Sequence, residues 1–135
     1  MTAAFLVGAI VFGAVVLFLV SRFGRSIIQP VSRKYFDKKW SEILGRVKTP
    51  EGMALAVIDA DKLLDEALKR RGYKGKTMGE RLVAAQRQLS NNDAVWYAHK
   101  IRNRLVHEPN FRLRKNDAKD ALAGVKQGLH DLGAL

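Results

Sequence analysis

Residues 3–20 of the chain form a continuous apolar stretch, in contrast to the periodic pattern that follows. From residue 3 to residue 20 every residue is apolar or glycine. A helix of this length rises roughly 27 Å, which is close to the hydrocarbon thickness of a bilayer. We therefore predict a membrane-spanning anchor over residues 1–21. A buried core helix and a cleaved signal peptide are the alternatives, although the basic start and cleavage site of a signal peptide are not evident.

The positions of the basic residues predict how this anchor is oriented. No Lys or Arg precedes the apolar stretch, whereas six lie between residues 22 and 39. Basic residues that flank a membrane helix tend to stay on the cytoplasmic side. The sequence therefore predicts a single-pass protein of the cell membrane, with its N-terminus outside and its C-terminal domain in the cytoplasm.

Residues 22–48 form a basic segment next to the anchor. The segment holds eight basic and two acidic residues, and thus +6 of the chain's net charge of +11. An amphipathic juxtamembrane helix is predicted from about Val31, just after Pro30. Its apolar positions are Phe36, Trp40, Ile43 or Leu44, and Val47. Two interpretations stay open: this helix lies on the membrane surface, or its aromatic residues pack on the domain that follows.

From residue 49 onwards the apolar residues recur with the helical period, and no strand-like alternation competes with it. Four helices are predicted, over residues 50–71, 78–89, 94–107 and 115–131. Their ends are indicated by Thr49 with Pro50, Gly72, Thr77 with Glu80, and Pro109. Their inward positions are Val57, Ala60, Leu64, Ala67, Leu68, Leu82, Ala85, Leu89, Ala94, Ala98, Ile101, Leu105, Ala118, Ala121, Leu122, Val125, Leu129 and Leu132. Residues 49–135 are therefore predicted to be all-α, as a four-helix up-and-down bundle.

The third of these helices carries a second stripe besides its core-facing one. Trp96, His99, Asn103 and His107 follow one another at spacings of three, four and four, with Arg102 between them. Arginine matches phosphate oxygens with a permanently charged fork, and histidine exchanges a proton near neutral pH. An amide four residues before a histidine can orient the imidazole or a substrate oxygen. The ordinary alternative is that Arg102 is a surface residue whose charged group reaches solvent, and that the helix dipole favours His107 at the C-terminal end.

The charge balance and the absence of cysteine narrow the function classes. A net charge of +11 predicts an anionic partner, which is RNA, DNA or an acidic membrane surface. Without cysteine the chain has neither disulfides nor thiolate metal sites. The histidines lack a paired metal-ligand spacing, and Asp59, Asp61 and Asp65 have no second ligand set, so no metal or other cofactor is predicted. Asp65 is expected to pair with Lys69 on a solvated face.

The run Arg102-Asn103-Arg104-Leu105-Val106-His107 resembles the Arg-Asn-x-x-x-His signature of the HEPN superfamily, the higher eukaryotes and prokaryotes nucleotide-binding domains. The resemblance covers roughly residues 50–132. It implies a four-helix up-and-down bundle with the motif at the end of the third helix, and a homodimer whose paired motifs face a shared cleft. Many members of the family are metal-independent ribonucleases that leave a 2′,3′-cyclic phosphate.

Transferred to this chain, the family's catalytic roles fall on three residues. The resemblance implies that His107 is the general base or acid, Arg102 the phosphate clamp and Asn103 the orienting polar residue. These roles agree with the reaction, because a 2′-hydroxyl needs a base near neutrality and the phosphorane needs a cation. The candidate substrate contacts are Trp96, His99 and Arg104.

Pro109 departs from the family pattern, because some toxin branches have a tyrosine two residues after the histidine. Regulation by modification of that tyrosine is therefore not transferred. Many members of the family are also non-catalytic binding modules.

Two functions follow as hypotheses. One is a membrane-anchored endoribonuclease acting on cytoplasmic RNA, and the other is a non-enzymatic anchored module for RNA, nucleotide, a lipid headgroup or a protein partner.

Overall fold

All regular secondary structure in this computed structural model is helical within the residues it describes, which are 2–23 and 30–135. The helices there are α1 (Thr2–Phe23), α2 (Arg33–Leu44), α3 (Pro50–Arg70), α4 (Met78–Ala85), α5 (Asn92–His107) and α6 (Lys115–Asp131). The all-α prediction is thus confirmed for these residues. The bounds of α3, α5 and α6 agree with the predicted ranges to within two residues.

Helix α1 contains the predicted anchor. Its window Ala3–Ser21 has a mean hydropathy of 2.9, and no residue of the window is buried. A core helix of a soluble domain would be mostly covered by the rest of the protein, so that alternative does not fit. Helix α1 is long and apolar enough to cross a membrane.

Helix α2 packs against α3 through its apolar side. Phe36, Trp40 and Ile43 are buried in the common core. At the same interface the Tyr35 hydroxyl donates a hydrogen bond to Glu66 Oε2 at 3.1 Å. Of the two interpretations of this segment, packing of the aromatic residues on the following domain is the one observed.

Helix α3 is the central element and contacts α2, α4, α5 and α6. Its N-terminus is capped as predicted, because Thr49 Oγ1 accepts a hydrogen bond from the Gly52 amide at 3.0 Å. Ala56 and Leu63 are buried in addition to the predicted inward residues of this helix. The apolar surface of α3 is therefore wider than one stripe, which lets helices pack on several of its sides.

Helix α4 ends four residues earlier than predicted, at Ala85. The chain then forms a turn, and the side chain of Asn92 donates hydrogen bonds to the carbonyl oxygens of Gln86 at 2.8 Å and Leu89 at 3.2 Å. These bonds satisfy carbonyl groups in the turn that have no partner within the helix. Leu89 is buried as predicted, although it lies in the turn and not in the helix.

Helices α5 and α6 approach each other closely at Gly124. A β-carbon at this position would lie 2.5 Å from the carbonyl oxygen of Ala94, so only glycine fits the observed spacing. One turn later, a β-carbon at Gly128 would meet Val95 Cγ2 and Leu64 Cδ1, both at 3.2 Å. These small residues fix α5 against α6 and α3, and α5 carries the polar stripe.

Candidate functional site

Asp61 is a buried carboxylate on α3 that faces the polar stripe of α5. Its side chain is only 3% exposed. Oδ1 lies 3.0 Å from Nδ1 of His99, and Oδ2 lies 3.5 Å from Nε of Arg102. From the sequence, Asp61 was rejected as a metal ligand and received no other role. Its importance depends on the packing of α3 against α5, which no local pattern in the sequence records.

A chain of hydrogen bonds runs from Asp61 through His99 and Asn103 to Arg102. Asn103 Nδ2 lies 3.4 Å from His99 Nε2, and Asn103 Oδ1 accepts a hydrogen bond from Nη1 of Arg102 at 2.9 Å. An amide nitrogen can only donate, so His99 Nε2 is the acceptor and Nδ1 carries the proton that bonds to Asp61. The two ring nitrogens of His99 are thus both engaged, Nδ1 by Asp61 and Nε2 by Asn103, which fixes the orientation of the ring.

The guanidinium group of Arg102 is fixed on one side and reachable on the other. Its Nε is buried, lacks a hydrogen-bond acceptor among the described residues, and contacts Asp61 as an ion pair. Its side chain as a whole is 27% exposed. A cation held in this way can receive an anion without first losing a surface ion pair and much side-chain freedom.

His107 lies at the end of α5, as predicted, in an open cleft. Glu108 takes an extended conformation with φ −105° and ψ 102°, because it precedes Pro109 and a helical conformation is disfavoured there. The loop that follows closes a cavity of about 630 Å³. The cavity is lined by Arg104, His107, Glu108, Pro109, Asn110, Phe111, Arg112, Arg114 and Asp117.

Two of the three arginines in this cleft have carboxylate partners. Arg104 bonds to Glu108 at 3.1 Å, and Arg114 bonds to Asp117 at 2.8 Å. The hydrogen bond from Arg114 lowers the pKa of Asp117 below its ordinary value. Arg112 is exposed and has no carboxylate partner among the residues at 30–135. The cleft thus offers an uncommitted cation beside an exposed imidazole, a contribution of the α5–α6 loop that sequence reasoning missed.

Phe111 gives the cleft an aromatic surface. The guanidinium carbon of Arg104 lies 4.0 Å from the centre of the Phe111 ring. Trp96, by contrast, lies at the other end of the stripe, with its ring edge-on to His99 at a centroid distance of 6.0 Å. Of the candidate substrate contacts, Arg104 therefore accompanies His107, whereas Trp96 and His99 accompany Arg102.

The structure does not bring Arg102 and His107 together within one chain. Five residues of helix separate them by a rise of about 7.5 Å and a rotation of about 140°. Arg102 turns towards Asp61, while His107 opens into the cleft that the following loop closes. One chain therefore holds two neighbouring half-sites, one with the fixed guanidinium group and one with the exposed imidazole.

Searches among protein-family models, curated proteins and solved structures find no match to this chain. The resemblance to the HEPN superfamily therefore depends on the spacing of Arg102, Asn103 and His107 on one helix. Among the described residues, no group of three or more His, Cys, Asp or Glu side chains is arranged to hold a metal ion.

Proposed function

We propose that this protein is a membrane-anchored, HEPN-like endoribonuclease that cleaves cytoplasmic RNA without a metal ion. The observation that carries the proposal is the guanidinium group of Arg102, held by Asn103 and the buried Asp61, on the same helix as the exposed His107. In this interpretation α3 to α6 correspond to the four helices of the family's up-and-down bundle, and α1 is the single-pass anchor with its N-terminus outside.

The proposed reaction is an internal transfer at one phosphodiester. His107 takes the proton of the ribose 2′-hydroxyl, and the resulting oxygen attacks the adjacent phosphorus. Arg102 stabilises the negative charge that accumulates on the phosphorane oxygens. The bond to the 5′-oxygen then breaks and this oxygen receives a proton, so the products are a 2′,3′-cyclic phosphate and a 5′-hydroxyl. No oxidant, reductant or metal ion is needed.

A homodimer would join the two half-sites. The HEPN resemblance implies a homodimer whose paired motifs face a shared cleft, and we propose that in this cleft Arg102 of one copy faces His107 of the other across one RNA strand. The exposed face of α5 supports this arrangement, because Val106 beside His107 is 49% exposed. An apolar side chain next to the site offers contact area to a second copy.

The test is RNA cleavage by the full chain in detergent or nanodiscs, with excess chelator. Arg102→Ala and His107→Ala should each lower the cleavage rate by roughly a hundredfold or more, as is typical for the loss of a charge-stabilising or proton-transfer group. Matched controls are Arg87→Ala and His130→Ala, because both residues are exposed and lie on other elements. Cleavage at the wild-type rate in His107→Ala would exclude this residue as the base.

The alternative function is a non-enzymatic anchored module that binds an anion through its basic surface. Arg112, exposed in the cleft without a carboxylate partner among residues 30–135, favours this alternative. Such binding should weaken steeply with added salt and should fall in Arg112→Gln but not in His107→Ala. Salt-dependent RNA binding without cleavage in the wild-type chain would favour the module over the nuclease.

A further inference from the structure

Helix α2 presents a basic side to solvent. Arg33, Lys34 and Lys38 are exposed, and none of them pairs with a carboxylate in the part of the chain that the structure describes. The exposed Asp37 is the acidic residue among them. The apolar side of the same helix is already covered by α3. This surface therefore offers mainly charge to a partner, with Leu44 at the end of α2 as an exposed apolar side chain.

Two neighbouring cations of this segment are engaged within the domain, whereas Lys48 in the turn after α2 is exposed. Lys39 pairs with Glu42 at 3.3 Å, and Arg46 pairs with Asp59 on α3. Arg33, Lys34 and Lys38, which have no carboxylate partner among the described residues, thus lie on a different side of α2 from Lys39. We name Arg33, Lys34 and Lys38 the basic face of α2.

The basic face lies close to the proposed anchor along the chain. Helix α2 begins at Arg33, ten residues after α1 ends at Phe23. Ten residues of fully extended chain reach at most about 35 Å. If α1 spans the bilayer, the beginning of α2 therefore lies within about 35 Å of the end of α1. A cytoplasmic leaflet with anionic lipids attracts Lys and Arg side chains that come within a Debye length of it, about 8 to 10 Å.

We infer that the basic face of α2 docks the helical domain on the anionic headgroup layer of the membrane that α1 spans. This inference rests on the proposed anchor but not on the nuclease activity. The contact is electrostatic, because the aromatic residues of α2 are buried against α3. Each cation near an anionic surface favours the docked state roughly fivefold, so loss of all three should reduce the ratio of docked to free domain on the order of a hundredfold.

The absence of cysteine allows a single label to report docking in the full chain. Ser41 is exposed on α2 and follows Lys34 and Lys38 by seven and three residues, so a dye on Ser41→Cys sits on the basic face. Ala123, exposed on α6, gives the comparison position through Ala123→Cys. Headgroup spin-labelled lipid in the vesicles quenches a dye only when the dye is close to the membrane surface.

The expected result is stronger quenching at Ser41→Cys in phosphatidylcholine vesicles that contain phosphatidylglycerol than in phosphatidylcholine alone. Adding Arg33→Gln, Lys34→Gln and Lys38→Gln should remove this gain, and so should high salt. The matched control replaces three exposed lysines of α6 by Gln: Lys115, Lys119 and Lys126. This control should leave the quenching at Ser41→Cys unchanged.

Two outcomes would overturn the inference. One is quenching at Ser41→Cys that is the same with and without phosphatidylglycerol, and the other is a loss of quenching in the α6 control as large as in the α2 variant. The anchor is tested separately, by flotation of the wild-type chain with phosphatidylcholine vesicles after an alkaline carbonate wash. A chain that fails to float contradicts the anchor itself. A chain that floats, but whose quenching at Ser41→Cys does not change with anionic lipid, contradicts only the docking.

Discussion

Asp61 accepts a hydrogen bond from Nδ1 of His99 at 3.0 Å, across an interface between two helices and 38 residues of chain. A carboxylate that is this deeply buried is stable only when it is paired and hydrogen-bonded. Asp61 meets this condition, because it is hydrogen-bonded to His99 and forms an ion pair with Arg102. The candidate phosphate-binding cation is therefore positioned by a residue on a different helix from the sequence motif.

Asp61→Asn tests this positioning. The amide keeps the size of the side chain and an oxygen that can accept from His99, but it removes the charge that attracts Arg102. We expect RNA cleavage to fall about tenfold or more with little change in helical content, because a misplaced charged group loses much of its effect. Asp59→Asn is the matched control, since Asp59 pairs with Arg46 away from the site. Equal cleavage rates in Asp61→Asn and the wild type would contradict a positioning role.

The same substitution should be visible by a measurement that does not depend on activity. In the wild-type chain the ¹⁵N chemical shifts of His99 should report a proton on Nδ1, the nitrogen that lies 3.0 Å from Asp61, with Nε2 accepting from the Asn103 amide. In Asp61→Asn we expect the Nδ1 signal to move, because an amide oxygen is a weaker acceptor than a carboxylate. Proton-bearing Nε2 in the wild-type chain would contradict the hydrogen-bond chain.

The ion pair between Asp65 and Arg81 should make stability depend on pH. Burial raises the pKa of Asp65, but hydrogen bonds from Arg81 and Lys69 outweigh burial and lower it overall. A carboxylate with a lowered pKa in the folded state stabilises the fold above its unfolded value of about 3.9, and this contribution is lost as pH falls through the folded pKa. The expectation of a solvated face is wrong for Asp65, whose side chain is 16% exposed.

We therefore expect Asp65→Asn to lower the free energy of unfolding by roughly 2 to 4 kcal/mol near neutral pH, because it leaves the buried guanidinium group of Arg81 without its charge partner. The difference from the wild type should shrink as the pH falls below about 4. Thermal unfolding followed by circular dichroism over a pH series measures this, with the exposed Asp37→Asn as control. A difference that stays constant with pH would contradict the assigned ion pair.

Gly124→Ala should destabilise the domain by separating α5 from α6. Its β-carbon would lie 2.5 Å from the Ala94 carbonyl oxygen, a backbone atom that cannot move independently of α5. We expect a loss of roughly 1 to 3 kcal/mol in the free energy of unfolding. Gly79→Ala is the matched control, because its β-carbon would meet Trp96 at an ordinary 3.5 Å. There the better helix propensity of alanine should leave stability unchanged or raise it by up to about 1 kcal/mol.

The helices could be predicted from the sequence because their signals are local. Thr49 caps α3 and Pro109 ends the helix of His107, since capping groups and prolines act within a few residues. Helix α6 has the predicted bounds although no side chain caps its N-terminus. Helix α4 is shorter than predicted because the chain turns after Ala85, where the side chain of Asn92 bonds to the carbonyl oxygens of Gln86 and Leu89. These contacts span six and three residues, and the helical period of Leu82, Ala85 and Leu89 does not show them.

The candidate site was predicted only in part, because contacts with other parts of the fold set the directions of its side chains. The spacing of Arg102, Asn103 and His107 places them on α5, but it does not show where the side chains turn. Asp61 draws Arg102 towards α3, and the loop carrying Arg112 closes around His107. Both effects depend on tertiary contacts, and a helical wheel of α5 shows only the residues of that helix.

Mixing the two inactive variants measures the central proposal most directly. Arg102→Ala and His107→Ala are reconstituted together in the same vesicles, and RNA cleavage is measured with excess chelator. If Arg102 of one copy acts with His107 of the other, half of the randomly formed pairs regain one intact site, and about a quarter of the wild-type activity should return. A mixture that stays inactive although both variants are folded and paired would contradict a site shared between two copies.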